Sequence, residues 1–383
     1  MKIAYLGKIQ ISDTDLPFLH EAQQMADITY LLEVTPRFLK GPAFNIPSIY
    51  PHTGIFKATE AYPELSRLSG FIDTDKFYVV NTCGRLWQLK SFWTYFLLLL
   101  FLVRGHFSAI HLVWPPNVYE FIIYFLRRKM LLTVHDPFPH SGLDTFIVRL
   151  RRKVAFALIP RLIILNEKQR QGFIDYYHIA PQRVINSRLS CCTYLQTLLK
   201  GDEQPTLDYI LFAGKISQYK GLDYLLPAMQ QVHRQCPGCK LIVAGAGDFH
   251  FDISPYQQLD YIEFRHRFIP DSELVELIYN AAFMVCPYTD ATQSGVIMSA
   301  FAFNRPVIAT NVGGLPEMVK DGHYGLLIPE KNVDALAESI VALWKSPERV
   351  KAFSREIHEA YTTGDVSWKA TAKKIVDEYH KQR

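Results

Sequence analysis

The sequence lacks several features that mark particular classes of protein. It contains no internal repeat and no low-complexity segment, which argues against solenoids and disordered chains. Its most apolar run, Phe92–Val103, has about 12 residues, whereas a membrane-spanning helix needs about 20. We therefore expect a buried or interfacial helix there. A strand is predicted directly from Lys2, so no targeting peptide is expected ahead of the fold.

Regular cysteine spacing is also missing. Six cysteines are scattered through the chain, which favours a reducing compartment over a disulfide framework. Cys236-Pro-Gly-Cys239 has the spacing of a metal or redox motif, but no second pair accompanies it. Because it stands between a predicted helix and a predicted strand, a plain turn is the favoured interpretation.

The composition is that of a globular protein with two domains of ordinary size. The 383 residues are 49% hydrophobic and 20% charged, and a chain of this length is too long for one small core. The net charge of +4 is unevenly distributed: residues 1–200 carry 23 Lys and Arg against 14 Asp and Glu, whereas residues 201–383 carry 18 against 23. A basic half beside an acidic half indicates that one domain meets an anionic surface.

Short β-branched runs alternate with longer amphipathic runs along the whole chain. Predicted helices include Tyr119–Arg127, Leu143–Phe156 and a C-terminal one at Ser367–Lys381. Continuous apolar strands separated by helices predict parallel sheets covered on both faces. The predicted strands are Lys2–Leu6, Ile28–Val34, Phe77–Asn81, Ala109–Val113, Met130–Val134, Leu162–Leu165, Tyr209–Phe212, Lys240–Ala244, Tyr261–Phe264, Phe283–Cys286, Pro306–Thr310 and Gly325–Ile328.

The predicted fold class is α/β, with two doubly wound Rossmann-like domains that face each other across a cleft. The polar segment Lys200–Pro205 contains Gly and Pro and marks the boundary, so the domains are predicted at residues 1–200 and 201–364. The helix within residues 365–383 follows a break and could pack back on the first domain. In such sheets, ligands bind at the carboxyl ends of the strands.

The segment Gly214–Gly221 lies at such a strand end. Gly214 permits a tight exit from the strand, and Lys215 and Lys220 then precede a predicted helix. Two ammonium groups and a helix N-terminus can neutralise a diphosphate, where the helix dipole alone contributes roughly 0.3–1 kcal/mol. An isolated lysine is more often a solvated surface residue, but the position of these two at a strand end favours phosphate binding.

Two strand-turn-helix units follow between residues 286 and 329. The first strand leads to the Ser294-Gly295 step, and the second leads to the Gly313-Gly314 turn. Turns of this kind present free backbone N–H groups and form good receptors for phosphate. The sequence therefore predicts that this half of the chain binds a nucleotide.

Together these motifs resemble the donor-binding domain of the GT-B glycosyltransferases, most closely the retaining family-4 group (glycosyl transferases group 1). The resemblance runs from about Tyr209 to Lys345 and includes Arg305–Glu317 and Gly325–Pro329. It implies that the first domain binds an acceptor and that the second binds a nucleotide-sugar donor. Lys215 stands where the family more commonly has an arginine, which keeps the charge but loses bidentate geometry.

The resemblance also implies a set of site residues in the second domain. The basic pair would hold the donor diphosphate and assist its departure, and backbone amides in the turns would hold phosphate and sugar hydroxyls. The implied catalytic residues are Lys215 and Lys220, and the implied donor-binding residues are Gly214, Asp290, Ser294, Gly295, Val296, Ser299, Gly313, Gly314 and Glu317.

One departure from the family pattern concerns two glutamates that have seven residues between them. These positions are Ala291 and Ser299 here, and neither carries a carboxylate. The ribose contact must therefore weaken, shift to Ser299 or pass to another group. Asp290 could serve the sugar or be a turn aspartate. Glu317 could bond the sugar or ribose, or merely cap the next helical turn.

In the first domain, Thr133–His140 follows a predicted buried strand and resembles the family's His-Asp loop, which faces the donor sugar. The resemblance implies a catalytic role for His135, as a hydrogen-bonding partner of a sugar hydroxyl or of developing charge. Asp136 and His140 are implied on the acceptor side. The family's glycine-rich loop after the first strand is reduced here to Gly7-Lys8, which weakens the prediction of an acceptor or phosphate site there.

Two Asp-x-Asp pairs suggest a different class of enzyme. Asp13 and Asp15, and Asp73 and Asp75, have the pattern by which GT-A glycosyltransferases bind a divalent metal and a diphosphate. Neither pair directly follows a convincing buried strand, and two lysines already provide countercharge. We therefore expect no metal and no cofactor, with the nucleotide-diphosphate sugar as a co-substrate.

Two basic segments, Arg127–Lys129 and Arg149–Lys153, flank or lie on apolar helices. Many such runs are only solvated helix faces. Together with the positive charge of the first half, however, they predict peripheral association with an anionic membrane surface, on the inner leaflet of the cytoplasmic membrane.

Residues and resemblance together predict a cytoplasmic, metal-independent glycosyltransferase of hexosyl type. It would move a sugar to a glycan or lipid-linked acceptor with retention, in polysaccharide or glycoconjugate biosynthesis, and no nucleic-acid partner is expected. The missing glutamates motivate an alternative, a catalytically silent relative that acts as a glycan-binding or membrane scaffold. A phosphorylase or a sugar-nucleotide epimerase on the same architecture is a third and less favoured interpretation.

Overall fold

The computed structural model describes residues 1–41, 43–83, 89–117, 120–138, 145–201, 203–291 and 293–381. The strands within these ranges are β1 (Lys2–Lys8), β2 (Asp27–Val34), β3 (Gly54–Lys57), β4 (Phe77–Asn81), β5 (Ala109–Leu112), β6 (Met130–Val134), β7 (Arg161–Ile164), β8 (Val184–Asn186), β9 (Tyr209–Ala213), β10 (Lys240–Ala244), β11 (Ile262–Arg265), β12 (Phe283–Cys286), β13 (Val307–Thr310) and β14 (Gly325–Ile328).

The α-helices of the same ranges are α1 (Ser12–Ala22), α2 (Ala58–Ala61), α3 (Leu89–Arg104), α4 (Phe146–Leu158), α5 (Arg170–Tyr177), α6 (Leu222–Gln235), α7 (Asp271–Asn280), α8 (Gly295–Ala302), α9 (Leu315–Met318), α10 (Val333–Trp344), α11 (Pro347–Thr362) and α12 (Trp368–His380). Shorter 3-10 segments lie at Ile9–Ile11, Pro63–Leu68, Thr74–Lys76, Glu120–Lys129, Pro181–Arg183, Thr193–Leu198 and Gln218–Lys220.

The chain divides into two compact units. Unit 1 comprises Met1–Leu189 and Trp368–Arg383, and unit 2 comprises Ser190–Ser367. Each unit contains a largely parallel sheet with helices in the connections, which is the arrangement of a Rossmann-like α/β unit. The predicted fold class of two Rossmann-like domains is confirmed in this respect.

Unit 1 is built on an eight-stranded sheet in the order β3-β4-β2-β1-β5-β6-β7-β8. All neighbouring strands are parallel except β3, which runs antiparallel to β4 at the edge. One face is covered by α3, whose Tyr95, Leu98 and Leu102 are buried against the sheet. Packing on the sheet therefore accounts for one face of this apolar run, at about 1.5–3 kcal/mol for each fully buried large side chain, whereas Phe92, Trp93 and Val103 are 49%, 53% and 50% exposed.

The C-terminal helix α12 belongs to unit 1 and packs against α1. Glu378 forms an ion pair with Arg161 on β7. The hydroxyl of Tyr379, which is fully buried, lies 2.5 Å from Nδ1 of His111 on β5. The last helix is thus tied to the sheet by a charged and a polar contact as well as by its apolar face.

Unit 2 is built on a six-stranded parallel sheet in the order β11-β10-β9-β12-β13-β14. Counted from the first strand of the unit, this is the 3-2-1-4-5-6 order of a Rossmann sheet. The four residues of β12 and of β13 are all buried, as expected for strands covered on both faces. Cys236-Pro-Gly-Cys239 forms the turn from α6 to β10, with the Cys239 N–H donating to the Cys236 carbonyl at 3.0 Å.

Three differences separate the predicted elements from the observed ones. β3 and β8 were not predicted, because they are edge strands of only four and three residues with little periodicity. The predicted helix at Tyr119–Arg127 is a 3-10 segment at Glu120–Lys129, with Tyr119 outside the described residues.

Within the described residues, no helix combines the length and the hydropathy needed to cross a bilayer.

Candidate functional site

The carboxyl ends of β9 and β12 form the topological switch point of the unit 2 sheet. From β9 the chain continues to β10 and β11 on one side, and it then returns to β12, β13 and β14 on the other. The loops that leave β9 and β12 therefore diverge, and open α/β sheets bind ligands in the crevice that this creates. The predicted phosphate-binding segments follow these two strands.

The loops after β9 and β12 are held together by backbone contacts. The N–H of Thr289 donates to the carbonyl of Tyr219 at 2.8 Å. Gly221 has a φ of +70°, and a Cβ at this position would lie 1.9 Å from the carbonyl oxygen of Pro287. Because only glycine tolerates both this conformation and this approach, the sequence Lys220-Gly221 fixes the lysine beside the end of β12.

Lys220 is a buried cation in this crevice, with 9% of its surface exposed. Its Nζ lies 3.6 Å from the ring centroid of Tyr288 and 5.1 Å from that of Tyr219. Among the residues that the structure describes, no carboxylate forms an ion pair with it, and burial lowers its pKa. The two aromatic faces offset part of the desolvation cost, but a buried ammonium group of this kind is a strong receptor for an anion.

Lys215 has a different environment from Lys220. Gly214 has a φ of +115° and donates its N–H to the carbonyl of Ala244 at 3.0 Å, which turns the chain sharply as it leaves β9. Lys215 follows this turn and is exposed. The structure therefore divides the predicted basic pair into one buried cation and one solvent-exposed cation.

The N-terminus of α8 lies next to the β9 turn. Ser294 is buried and caps the helix, with its Oγ accepting from the N–H of Ile297 at 3.4 Å. A Cβ at Gly214 would lie 3.2 Å from Cγ2 of Val296, so the two segments are in close contact. Gly295 is exposed, with open space where its Cβ would be. The first free N–H groups of α8 are therefore presented beside the β9 loop.

Ser299 stands in the next turn of α8. Its hydroxyl donates to the carbonyl of Gly295 at 2.9 Å, so its one donor is used within the helix. A ribose hydroxyl could still donate to its oxygen, because a serine hydroxyl also accepts. The predicted substitute for the family glutamate is thus a weaker partner than a carboxylate.

The turn after β13 docks on the loop after β12. The N–H of Gly314 donates to the carbonyl of Ala291 at 3.0 Å. Gly313 has a φ of +50°, and its Cβ would lie 1.7 Å from the same oxygen. This contact places the Gly313-Gly314 turn next to Asp290, which is exposed, and Glu317 is exposed in the helical turn that follows.

In unit 1, His135 follows β6 and its Nε2 is buried. Among the described residues, no hydrogen-bonding partner reaches this nitrogen. Burial lowers the pKa of His135 to about 4, against a smaller opposing effect of Asp136, so the ring is neutral at pH 7. Asp136 accepts a hydrogen bond from Arg152 through its backbone carbonyl. His140, which was predicted on the acceptor side, lies outside the described residues.

His111, on β5, is a polar residue at the centre of unit 1 that sequence reasoning missed. Its Nε2 lies 2.7 Å from the hydroxyl of Thr133, two residues before His135. Burial lowers the pKa of His111 to about 3, and the neighbouring His135 acts in the same direction. A histidine inside the apolar run Ala109–Leu112 was the available signal. The contact helps to position β6, from which His135 projects.

Lys8 marks the carboxyl end of β1, at the switch point of the unit 1 sheet between β1 and β5. It forms ion pairs with Glu33, at the end of β2, and with Glu120, whose Oε1 is 2.6 Å away. Oε2 of Glu120 also accepts from the backbone N–H of Asn117 at 2.7 Å. Two carboxylates thus compensate one lysine. The signal for this cluster was Glu33, a charged residue that follows the apolar pair Leu31-Leu32 in β2.

The two Asp-x-Asp pairs have structural partners. Asp15 is buried and accepts from the hydroxyl of Tyr5 at 2.8 Å, and burial raises its pKa. Asp73 accepts from the N–H of Asp75 at 3.0 Å and begins a 3-10 turn. These contacts account for an aspartate in each pair without any ligand.

With this geometry established, comparison with known proteins identifies the class of domain. Residues 208–346 match the family model of glycosyl transferases group 1. These residues include the loops after β9, β12 and β13 and therefore the whole candidate site of unit 2.

Curated relatives agree with this match over part of their length. The chain is 30% identical to D-inositol 3-phosphate glycosyltransferase of Segniliparus rotundus over 184 residues, which are 46% of this chain and 40% of that protein. It is 29% identical to an uncharacterized glycosyltransferase of Methanocaldococcus jannaschii over 186 residues, which are 44% of each chain. The matched region thus spans less than half of these relatives.

The fold is similar to that of a solved GT-B structure. The Anabaena protein HepE, crystallised in complex with UDP, has a TM-score of 0.70 with 16% identity, and the similarity covers 100% of both chains. The fold is therefore GT-B, and residues 208–346, which lie in its second unit, are similar to the glycosyl transferases group 1 family. The resemblance predicted from the motifs is confirmed at this level.

Proposed function

We propose that this protein is a glycosyltransferase that transfers a sugar from a nucleotide-diphosphate sugar to a glycan or lipid-linked acceptor. The family match and the names of the relatives support transfer of a sugar, and the neighbour in complex with UDP supports a nucleotide donor. The observation that carries the proposal is Lys220. It is a buried ammonium group without an ion-pair partner among the described residues, at the switch point of the sheet where a diphosphate would bind.

The chemistry that we propose depends on the departure of the nucleotide. As the bond between the sugar and the diphosphate breaks, negative charge grows on the leaving phosphate oxygen. Lys220 and the free N–H groups at the start of α8 stabilise this charge, and groups fixed in advance are the most effective kind. Lys215 adds a second positive charge, and the N–H groups of the Gly313-Gly314 turn bind phosphate or sugar hydroxyls.

The finer points follow the family. The departing phosphate oxygen accepts the proton of the acceptor hydroxyl on the same face of the sugar, so the anomeric configuration is retained. The sugar is a hexose, no metal is needed, and the product belongs to polysaccharide or glycoconjugate biosynthesis in the cytoplasm. In unit 1, His135 hydrogen-bonds a sugar hydroxyl or stabilises developing charge, and Asp136 serves the acceptor. In unit 2, Asp290 hydrogen-bonds the sugar, and Glu317 hydrogen-bonds the sugar or the ribose.

Incubation with a panel of sugar nucleotides, followed by release of nucleoside diphosphate, tests the proposal. Loss of a charge-assisted hydrogen bond costs about 1.5–3 kcal/mol, so Lys220→Gln should lower kcat/KM roughly 10- to 150-fold. Lys345→Gln is the matched control, because Lys345 is exposed at the end of α10. Wild-type turnover by the Lys220 variant would remove the central support. Activity that is lost in EDTA and restored by a divalent metal would overturn metal independence.

Membrane association is a separate part of the proposal. Phe146, Ile147 and Leu150 on α4 are 71%, 65% and 50% exposed, and Arg149 and Lys153 are exposed on the same helix. Exposed apolar side chains beside cations suit the surface of an anionic bilayer, here the inner leaflet. The protein should sediment with vesicles that contain phosphatidylglycerol more than with phosphatidylcholine vesicles, and Ile147→Ser with Leu150→Ser should abolish the difference. Equal sedimentation with both lipids would contradict this.

The scaffold alternative rests on Ala291 and Ser299, where the family glutamates are missing and the serine donates within its own helix. A scaffold without a donor site should show no thermal shift with any nucleoside diphosphate. A working donor site should gain about 2.7 kcal/mol of stability at a ligand concentration of 100 Kd. Thermal shift with UDP, GDP and ADP sugars therefore separates the two functions without knowledge of the acceptor.

A further inference from the structure

A second buried cation lies at the opposite edge of the unit 2 sheet. Arg305 precedes β13 by two residues, whereas the Gly313-Gly314 turn follows the carboxyl end of that strand. Arg305 lines a cavity of about 600 Å³ between α11, the end of α7 and the turn that joins α8 to β13. The parallel sheet thus separates this cavity from the loops of the candidate donor site.

The guanidinium group of Arg305 forms no ion pair and no hydrogen bond with a residue that the structure describes. The side chain is 8% exposed, its Nε is fully buried without a hydrogen bond, and burial lowers its pKa. Its nearest compensating feature is the ring of Tyr279, 5.6 Å from the guanidinium carbon. A guanidinium group carries five N–H donors, and a buried charge without partners is costly. A ligand that supplies acceptors would remove this cost.

The backbone holds Arg305 in place. Its N–H donates to the carbonyl of Ala300 at 2.9 Å and so closes the end of α8. Asn304, with a φ of +55°, forms the left-handed turn before it. The guanidinium group is therefore presented from a fixed position and loses little entropy when it binds.

The other walls of the cavity show what kind of ligand would fit. Arg355 and His358 are exposed on one face of α11, and Glu359 is the acidic residue among the lining side chains. The two arginines outnumber the one carboxylate of the lining, which favours an anionic ligand. Tyr279 and Phe303 provide flat apolar surface for the rest of the molecule.

We propose that this cavity binds a phosphorylated small molecule, whose phosphate accepts hydrogen bonds from Arg305, Arg355 and His358 and whose body packs on Tyr279 and Phe303. Arginine suits this role because its planar fork matches two phosphate oxygens. The site is independent of the proposed donor site, and it would exist whether or not the protein transfers sugars.

Calorimetric titration of the full chain with inorganic phosphate, glucose 6-phosphate and UMP tests the proposal. The charge-assisted bonds of Arg305 should contribute a factor of at least about ten in Kd. The Kd of at least one probe should therefore rise tenfold or more in Arg305→Gln, and it should also rise in Arg355→Gln. It should be unchanged in Arg349→Gln, a control on α11 outside the cavity. The comparison of probes identifies whether phosphate alone suffices or a sugar or nucleoside is needed.

Several outcomes would overturn the site. The first is that no probe binds with a Kd below about 10 mM. The second is that the Arg349 and Arg305 variants lose binding equally. The third is that only the Lys220 variant loses binding, which would assign the ligand to the donor site. Should Arg305→Gln fail to fold, Arg305→Lys and Arg355→Gln replace it, because the first keeps the charge and the second changes an exposed residue. A melting temperature of Arg305→Gln below that of the wild type without ligand, together with unchanged binding, would show a structural role instead.

Discussion

Replacement of Lys220 by methionine should have opposite effects on stability and on ligand binding. The ammonium group is buried with 9% exposure and has no ion-pair partner among the described residues. Methionine has a similar length and suits a site between the rings of Tyr219 and Tyr288. The substitution removes an uncompensated charge and keeps most of the packing, so the protein without ligand should become more stable.

The magnitude follows from two opposing terms. Replacement of a buried ion pair by well-packed apolar groups can stabilise a protein by about 1–4 kcal/mol, and an unpaired buried cation has no ion-pair attraction to lose. The lost cation–π contacts subtract about 0.5–2 kcal/mol. A net gain of about 1–2 kcal/mol is expected. For a unit of the size of residues 190–367, each kcal/mol shifts the melting temperature by roughly 2–4 °C. Lys220→Met should therefore melt roughly 2–8 °C above the wild type.

The assay is thermal unfolding of the wild type, Lys220→Met and the control Lys345→Met, each without and with a sugar nucleotide that stabilises the wild type. The Lys220 variant should melt higher without ligand and should lose most of the ligand-induced shift. The control should match the wild type in both conditions. A Lys220 variant that melts lower without ligand, or that keeps the full ligand-induced shift, would refute the view that this lysine is held at a stability cost for an anion.

Two further predictions concern the scaffold around the sites. Gly313→Ala should lower the free energy of unfolding by about 2–4 kcal/mol in urea unfolding, because its Cβ would lie 1.7 Å from the carbonyl oxygen of Ala291. Gly295→Ala is the control. Its Cβ would lie in open space, so its free energy of unfolding should stay within about 1 kcal/mol of the wild type. A shift of the Gly313 variant as small as that of the Gly295 control would contradict this. The second prediction concerns the loss of folding stability at low pH. Burial lowers the pKa of His111 to about 3, so between pH 6.5 and 3 the unfolded chain binds a proton that the folded chain does not. The contribution to stability is lost as the pH falls, by about 3 kcal/mol at pH 4.5. Urea unfolding at pH 7 and 4.5 should show a smaller loss in His111→Asn than in the wild type, and equal losses would contradict the buried neutral ring.

The strands of both sheets could be predicted from the sequence because buried parallel strands read as continuous apolar runs. Phe77–Asn81, Met130–Val134, Lys240–Ala244 and Phe283–Cys286 were predicted with the bounds that the structure shows. Edge strands are different, because they are short and covered on one face at most. β3, with the sequence Gly-Ile-Phe-Lys, carries no pattern that distinguishes it from a loop.

The segment Glu120–Lys129 shows where periodicity misleads. Its apolar residues recur at a spacing compatible with an α-helix, and yet it forms 3-10 turns. Ile123 and Tyr124 are buried, whereas Phe125 is 81% exposed. The prediction of a helical element between β5 and β6 is confirmed in position but not in type. The type of helix depends on how the backbone meets its neighbours, which the residue pattern does not encode.

For the candidate site, sequence motifs predicted which loops meet but not the environment of each side chain. Lys215 and Lys220 appear equivalent in the sequence. Burial distinguishes them, and it arises from Gly221 against Pro287, a contact between loops that follow different strands. His111 was missed for the same reason, since its partner Tyr379 is 268 residues away in the chain. Long-range contacts of this kind are fixed by topology rather than by local pattern.

The charges of unit 2 suggest how its ligand sites can be recognised. The second half of the chain has an excess of acidic residues, so counterions for its cations are abundant. Arg265 and Arg267 both pair with Glu273 on the surface. Lys220 and Arg305 are buried, and neither forms an ion pair with a residue that the structure describes. Burial without an ion pair therefore marks Lys220 and Arg305 as the cations of unit 2 that are candidates for ligand binding. The two side chains lie at opposite ends of the strands of one parallel sheet. Because open α/β sheets bind nucleotides at the carboxyl ends of their strands, we expect Arg305, at the amino ends, to bind a separate anion.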